Sequence, residues 1–98
     1  MKCYLEVLGG PIDGQIFTFV KSVDIGRDPS CGISITTDNY ISRRHAKIMV
    51  IEPECFLEDL NSTNGTFINN EQLKGRIVIS NGQYFTVGKT QMQITWKE

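Results

Sequence analysis

The segment that decides the fold runs from Asp59 to Asn70 and reads Asp-Leu-Asn-Ser-Thr-Asn-Gly-Thr-Phe-Ile-Asn-Asn. Its small polar side chains can hydrogen-bond nearby backbone groups, and they lie between two apolar residues, Leu60 and Phe67. Asn64-Gly65 is a strong turn signal because both residue types tolerate positive φ. The pattern predicts a rigid polar loop between two strands, rich in hydrogen-bond donors and suited to an anion.

The composition around this loop is that of an ordinary globular protein, with 98 residues, 40% hydrophobic and 21% charged. We therefore predict one domain over residues 1–98 and leave open whether it is a module of a longer multidomain protein. The net charge of −1 argues against a broad nucleic-acid or membrane-binding surface. No signal peptide or membrane-spanning run is apparent, so a cytoplasmic location is expected.

The cysteines and the histidine of the chain argue against a metal site. Cys3, Cys31 and Cys55 are widely spaced, with no C-x-x-C pair, and His45 is the single histidine. We predict reduced thiols, with Cys3 and Cys55 as small core residues. No cofactor and no metal are expected.

Short alternating segments recur along the whole chain. Cys3, Leu5 and Val7 share one strand face, and no window shows sustained helical periodicity. This regular spacing of short strands and turns is typical of an all-β sandwich or barrel, in which functional residues usually lie on loops at one end. The predicted strands are 3–8, 15–20, 23–25, 33–35, 45–51, 55–60, 66–68, one near 72–73, 76–79, 84–87 and 91–96. We expect 76–79 and 84–87 to pair as a hairpin across Asn81-Gly82.

Three of the predicted loops contain the unusual residues: Gly26-Arg27, Ser42-Arg43-Arg44-His45 and Asn61-Ser-Thr-Asn-Gly-Thr66. Their order and spacing closely resemble forkhead-associated (FHA) domains, and so does the Gly10-Pro11 reversal after the first strand. The likeness covers nearly the whole chain. It departs at Asn81-Gly82-Gln83, where the family usually has Gly-Asp, in a turn far from the three loops in sequence.

The resemblance implies an FHA-like β-sandwich of about eleven strands with Greek-key-type connections, whose loops at one end bind phosphothreonine peptides. Arg27 and Ser42 would contact the phosphate, Arg43 the phosphate or the peptide, Thr63 the vicinity of the phosphothreonine, and Asn64 the peptide backbone. The resemblance implies loop-shaping roles for Gly26, His45, Asn61, Gly65 and Thr66. The expected partner is a phosphothreonine-containing protein or peptide, a substrate of a Ser/Thr kinase.

The chemistry of these side chains suits a phosphate independently of the resemblance. A phosphothreonine has a charge of roughly −1.5 to −2 and three strong acceptor oxygens. The planar fork of Arg27 matches two of them, and the hydroxyls of Ser42 and Thr63 can bind the third. Three or four such bonds, less the ordering of an extended peptide, predict micromolar binding at about −8 kcal/mol.

Two other functions are weighed against this one. The same fold could serve phosphate-independent assembly, using a sheet face around Met49 and Ile51. A small hydrolase could use Ser42 and His45, but no acidic residue lies close in sequence to orient the histidine. We therefore predict no catalytic residues and no enzymatic activity.

Overall fold

The computed structural model describes all 98 residues as eleven β-strands joined by loops and turns. The strands are β1 Lys2–Leu8, β2 Ile16–Phe19, β3 Val23–Gly26, β4 Ile33–Ser34, β5 Ala46–Ile51, β6 Glu54–Asp59, β7 Thr66–Ile68, β8 Glu71–Gln72, β9 Arg76–Ile79, β10 Tyr84–Val87 and β11 Thr90–Lys97. No helix in the structure is long and apolar enough to cross a membrane.

The strands form two sheets that pack as a sandwich. One sheet has the order β2-β1-β11-β10-β7-β8, and the other has the order β4-β3-β5-β6-β9. Only the β3–β4 pair is parallel. The chain changes sheets from β2 to β3, from β6 to β7, from β8 to β9 and from β9 to β10. This confirms the predicted all-β sandwich of about eleven strands.

The core lies between the sheets and is filled by the alternating apolar residues of both. Cys3, Leu5 and Val7 of β1 are fully buried, as the period of two predicts, and they are joined by residues such as Ile48 and Phe85. Burying a side chain of this size contributes about 1.5–3 kcal/mol. The core is therefore what holds the loop ends in place.

The cysteines are free thiols, and all three are buried. Burial, followed by the neighbouring Cys3, raises the pKa of the Cys55 thiol to about 12. The prediction that Cys3 and Cys55 are small core residues is confirmed.

The predicted hairpin between β9 and β10 is wrong. β9 pairs with β6 in one sheet, whereas β10 pairs with β7 and β11 in the other. The turn between them already has its hydrogen bonds with β11, because Gly82 N donates to Ile94 O at 2.8 Å and Trp96 N donates to Asn81 Oδ1 at 2.9 Å. The Asn81-Gly82 turn therefore crosses between the sheets instead of closing a hairpin.

One end of the β3-β5-β6 group positions three loops together. β5 is antiparallel to both neighbours, so the last residues of β3, the first residues of β5 and the last residues of β6 lie at the same end of the sheet. The β3–β4, β4–β5 and β6–β7 connections therefore leave the sandwich side by side. These connections contain the three motifs singled out in the sequence.

Candidate functional site

The three loops enclose a depression of about 290 Å³ at this end of the sandwich. Its walls are Arg27 from the first loop, residues 39–43 from the second, and Thr63 and Asn64 from the third. All five residues predicted to contact a ligand, Arg27, Ser42, Arg43, Thr63 and Asn64, line it. Three segments far apart in sequence thus meet in one concave surface.

Gly26 allows the first two loops to approach each other. A Cβ at this position would lie 2.0 Å from the Arg43 carbonyl oxygen, so no larger residue fits without backbone movement. The two loops are joined there by backbone hydrogen bonds, from Arg27 N to Ser42 O at 3.0 Å and from Asp28 N to Arg43 O at 3.1 Å. The missing side chain at Gly26 therefore sets the position of both Arg27 and Arg43.

The arginines differ in how their charge is balanced. Arg27 is half-buried and donates from Nε to the Ile41 carbonyl, which leaves its terminal nitrogens free and aims the guanidinium along the pocket wall. Neither Arg27 nor the exposed Arg43 forms an ion pair. Arg44, in contrast, is held by Asp24 at 2.6 Å and does not line the pocket. The pocket therefore has two uncompensated cations.

Polar groups of the second and third loops complete the wall. Ser42 Oγ accepts a hydrogen bond from Thr63 N at 3.0 Å, and its own proton is left to donate elsewhere. Asn64 Nδ2 donates to Tyr40 O at 2.9 Å, which orients the amide and leaves its oxygen available. These two bonds join the loops across the pocket floor.

His45 ties the same two loops together from inside the protein, where it is fully buried. Its Nδ1 accepts from Ser42 N at 3.0 Å, which places the proton on Nε2, and Nε2 donates to Gly65 O at 2.8 Å. Burial lowers the pKa of His45, although the Gly65 carbonyl and Asp59 act in the opposite direction. The neutral ring makes no hydrogen bond to the Ser42 hydroxyl.

The 59–66 loop is organised by a residue to which the sequence analysis assigned no role, Asp59. Its Oδ1 accepts from Ser62 Oγ at 2.6 Å and from Thr66 Oγ1 at 2.8 Å, while its Oδ2 accepts from Ser62 N at 3.1 Å. Burial would raise the pKa of Asp59, but these bonds outweigh it and lower the pKa. An acidic residue three positions before a serine was the available signal for this turn.

Not every asparagine and glycine of this loop has the positive φ that these residue types tolerate. Asn61 and Gly65 have positive φ, at 56° and 87°, whereas Asn64 does not. The Asn64-Gly65 turn therefore uses the left-handed conformation at the glycine alone. In the next turn, Asn69 and Asn70 both have positive φ, a conformation that asparagine adopts more readily than most residues.

A second acidic residue, Asp38, anchors the β4–β5 loop and was missed in the sequence. Its buried carboxylate accepts from Tyr40 N and Lys89 N, both at 2.8 Å, and from Thr90 Oγ1 at 2.7 Å. Burial would raise the pKa of Asp38, yet the hydrogen bonds from Thr90, Lys89 and Tyr40 lower it. Two of its partners lie more than 50 residues away, so no local pattern could have identified it.

Comparison with known proteins places this geometry among related domains. The family model for the FHA domain matches residues 23–88. The FHA domain-containing protein FhaB of Mycobacterium tuberculosis is 33% identical over 92 residues, which are 93% of this chain and 59% of FhaB. The chain thus spans less than two thirds of that relative.

Solved structures of FHA domains superimpose closely on this chain. The FHA domain of the CT664 protein from Chlamydia trachomatis superimposes with a TM-score of 0.90 at 26% identity, with 100% of both chains covered. A chain from a structural and functional analysis of phosphothreonine-dependent FHA domain interactions has a TM-score of 0.87 at 26% identity, covering 100% of this chain and 99% of that one.

Proposed function

This chain belongs to the FHA domain family, and from that premise we propose that it is an adaptor module whose loop pocket binds phosphothreonine in a partner protein. The related chain with phosphothreonine-dependent interactions supports this proposal. Because protein phosphothreonine is made by Ser/Thr kinases, the partner is a kinase substrate and the contact forms only after phosphorylation.

The observation that carries the proposal is the pair of uncompensated arginines beside free hydroxyl groups in one open pocket. A buried or half-buried cation is normally paired with a carboxylate, since leaving it unpaired costs free energy. Arg27 is half-buried without a carboxylate, while Arg44 nearby has Asp24. The missing counter-ion of Arg27 fits a ligand that brings two negative charges and three acceptor oxygens.

Different residues of the pocket wall contact different parts of the ligand. In the proposal, the terminal nitrogens of Arg27 and the hydroxyl of Ser42 bind phosphate oxygens, and Arg43 contacts the phosphate or the adjoining peptide. Thr63 lies beside the phosphothreonine, and Asn64, oriented by Tyr40 O, binds the peptide backbone. Gly26, His45, Asn61, Gly65 and Thr66 hold the loops in the conformation that brings these groups together.

The contacts explain why the phosphate decides binding. Hydrogen bonds to a charged group contribute roughly 1.5–3 kcal/mol each, and micromolar binding corresponds to about −8 kcal/mol. An unphosphorylated threonine forfeits the charged contacts with Arg27, Ser42 and Arg43. Its remaining contacts do not compensate for ordering an extended peptide.

The geometry favours binding over hydrolysis. A serine nucleophile needs a general base within hydrogen-bond reach of its hydroxyl. Both ring nitrogens of His45 are occupied by backbone groups, one of them the Ser42 N–H itself. We therefore propose no catalytic role for the Ser42 and His45 pair.

The test is a titration with a phosphothreonine peptide library, followed by the best peptide against variants. We expect Arg27→Ala and Asn64→Ala to weaken binding, Arg27→Ala by roughly 10–150-fold for the loss of one charged contact. Arg44→Ala is the matched control, because it removes an arginine that Asp24 neutralises outside the pocket. Its affinity should stay within about threefold of the parent protein.

Three results would contradict the proposal. The first is the absence of binding to any phosphothreonine peptide. The second is equal affinity for the phosphorylated and unphosphorylated forms. The third is unchanged affinity in both pocket variants when Arg44→Ala behaves as the parent protein does.

A further inference from the structure

The β9 strand leaves one edge of the five-stranded sheet open. It pairs with β6 on one side and is the last strand of its sheet. Residues 76 to 79 make no backbone hydrogen bond outside that pairing. Free edges of this kind are templates for another strand, and proteins usually shorten them, cover them or place charges on them.

Two of the three exposed residues of β9 are apolar, and the third is Arg76. Ile77 and Val78 are 36% and 53% exposed, and they precede the buried Ile79. Val78 lies opposite Phe56 on β6, and Phe56 lies opposite Met49 on β5. Together with Ile51, which is 55% exposed, Val78, Phe56 and Met49 form a continuous apolar patch on the outer face of the sheet, whereas Ile77 lies on the inner face opposite Leu57.

The β2 edge of the six-stranded sheet differs. Ile16 on β2 is equally exposed, at 55%, but its neighbour on β1 is Glu6. The next outward residue of β2 is Thr18, opposite Tyr4. The β2 edge therefore has no apolar patch beside it, and the β4 and β8 edges have only two residues each, which leaves β9 as the edge most open to pairing.

We propose that β9 pairs with β9 of a second copy of this chain, antiparallel, so that the two five-stranded sheets join into one. Such a contact is isologous, since each copy offers the same strand to the other. In the register that we propose, Val78 faces Val78 of the second copy. Ile77 then faces Ile79 of the second copy on the inner side, and apolar residues meet on both faces of the joined sheet.

Charge complementarity supports this occupant and this register. Arg76 and Lys74 lie at one end of the strand, where Glu58 of β6 is opposite Arg76, whereas Glu54 lies one position beyond the Cys55–Ile79 pair at the other end. Antiparallel pairing brings the basic end of each copy to the acidic end of the other. Arg76 would then face Ser80 of the second copy, with Glu54 of that copy on the adjoining strand, about 10 Å away between Cα atoms.

The side chain of Arg76 can reach that carboxylate. It is exposed and now lies over the Phe56 ring, with its carbon Cζ 5.1 Å from the ring centre. Such an exposed cation–π contact contributes about 0.5–1 kcal/mol. In the dimer, the ion pair between Arg76 and Glu54 of the second copy would replace it, beside surface that dimerisation buries. Opposite charges on adjoining strands also contribute to pairing.

The test measures mass by sedimentation equilibrium across a range of protein concentrations, without any phosphopeptide. The chain of 11.1 kDa should approach twice that mass at millimolar concentration. Val78→Lys should raise the dissociation constant of the dimer at least about tenfold, because two lysines would then face each other. Ile16→Lys is the matched control, with the same change at an equally exposed position of the other edge, and should leave the dimer unchanged.

Charge reversal identifies the register. Arg76→Glu and Glu54→Lys should each weaken self-association, because equal charges then meet. A mixture of the two variants should form a mixed dimer, since each places its charge opposite the complementary one.

Three results would overturn the proposal. The first is a mass of 11.1 kDa at every concentration. The second is a dimer that Val78→Lys leaves intact, which would place the interface elsewhere. The third is a mixture of the charge variants that associates no better than either variant alone. None of these measurements depends on phosphate binding, and circular dichroism establishes that each variant is folded.

Discussion

Gly26 offers the sharpest test of how the site is built, and the change is Gly26→Ala. The added Cβ would lie 2.0 Å from Arg43 O and 2.7 Å from Arg43 C, both backbone atoms. Real Cβ contacts are essentially never below 3.0 Å, so the loops must separate by at least 3.0 − 2.0 = 1.0 Å. The clash cannot be relieved by rotating a side chain.

A separation of this size breaks the two backbone hydrogen bonds that join the loops, Arg27 N to Ser42 O and Asp28 N to Arg43 O. Each contributes about 0.5–1.5 kcal/mol, and overpacking adds about 1–3 kcal/mol. The lower backbone entropy of alanine in the unfolded chain offsets about 0.4–1 kcal/mol. We expect a net loss of about 3 kcal/mol in the free energy of unfolding.

The assay is urea unfolding followed by the fluorescence of the single tryptophan, Trp96, together with phosphopeptide titration. Gly32→Ala is the matched control, since Gly32 also has an ordinary φ and its added Cβ would lie 2.2 Å from a methyl carbon of Val23. That methyl belongs to a side chain outside the pocket, so Gly32→Ala should leave phosphopeptide affinity unchanged. Gly26→Ala should weaken it, because Arg27 and Arg43 both move.

The reasoning would be refuted by a Gly26→Ala protein whose free energy of unfolding lies within about 0.5 kcal/mol of the parent value. It would also be refuted by full phosphopeptide affinity in a Gly26→Ala protein that is destabilised as expected. Either result would mean that the close approach of the two loops does not position the arginines.

Three further predictions concern pH, the Asp38 anchor and a turn. The folded pKa of His45 is lowered, so its contribution to stability is complete above the ordinary value of about 6.5 and is lost as pH falls below it. His45→Gln should abolish the decline that begins just below about pH 6.5 in urea unfolding. The steeper decline below about pH 3.9 should remain, because the lowered pKa values of Asp38 and Asp59 cause it; an unchanged decline near pH 6 in His45→Gln would contradict this assignment. Asp38→Ala leaves two backbone N–H groups without their acceptor and should cost about 3–5 kcal/mol in the same assay, whereas Asp38→Asn, which keeps one acceptor oxygen, should cost less; equal losses would argue against the hydrogen bonds as the cause. Asn70→Gly should raise the free energy of unfolding by up to about 0.5–1 kcal/mol, because φ is 65° there and glycine adopts that conformation without strain; a clear loss of stability would refute the backbone explanation.

Much of the fold could be predicted because strands and turns depend on residues that are neighbours in the sequence. The alternation of Cys3, Leu5 and Val7 reflects burial of one face of β1, and each turn residue acts within its own turn. Strand pairing depends on residues that are far apart in the chain. The nearness of β9 and β10 in the sequence suggested a hairpin, but β9 pairs with β6 and β10 pairs with β7, and both partners lie well before them in the sequence.

The same distinction between neighbouring and distant residues applies to the candidate site. The five lining residues could be identified because their motifs are contiguous, whereas the groups that support them are not. Asp38 binds Lys89 and Thr90 from the far end of the chain, and Arg44 is neutralised by Asp24 from a different strand. The resemblance assigned Arg27 and not Arg44 to the ligand, but the ion pair that neutralises Arg44 could not be predicted from the sequence.

The Asp38 anchor has a consequence for how such a domain could change its target. The β4–β5 loop is held through the backbone N–H of Tyr40, through the β10–β11 turn and through the Tyr40 ring, over which Lys89 lies at 4.0 Å, but not through the exposed side chain of Asn39. Asn39 lines the pocket, yet its side chain makes no hydrogen bond that holds the loop. Substitutions of Asn39 can therefore alter the preferred peptide at little cost in stability. At this position the choice of target can change while the residues that keep the loop folded stay the same.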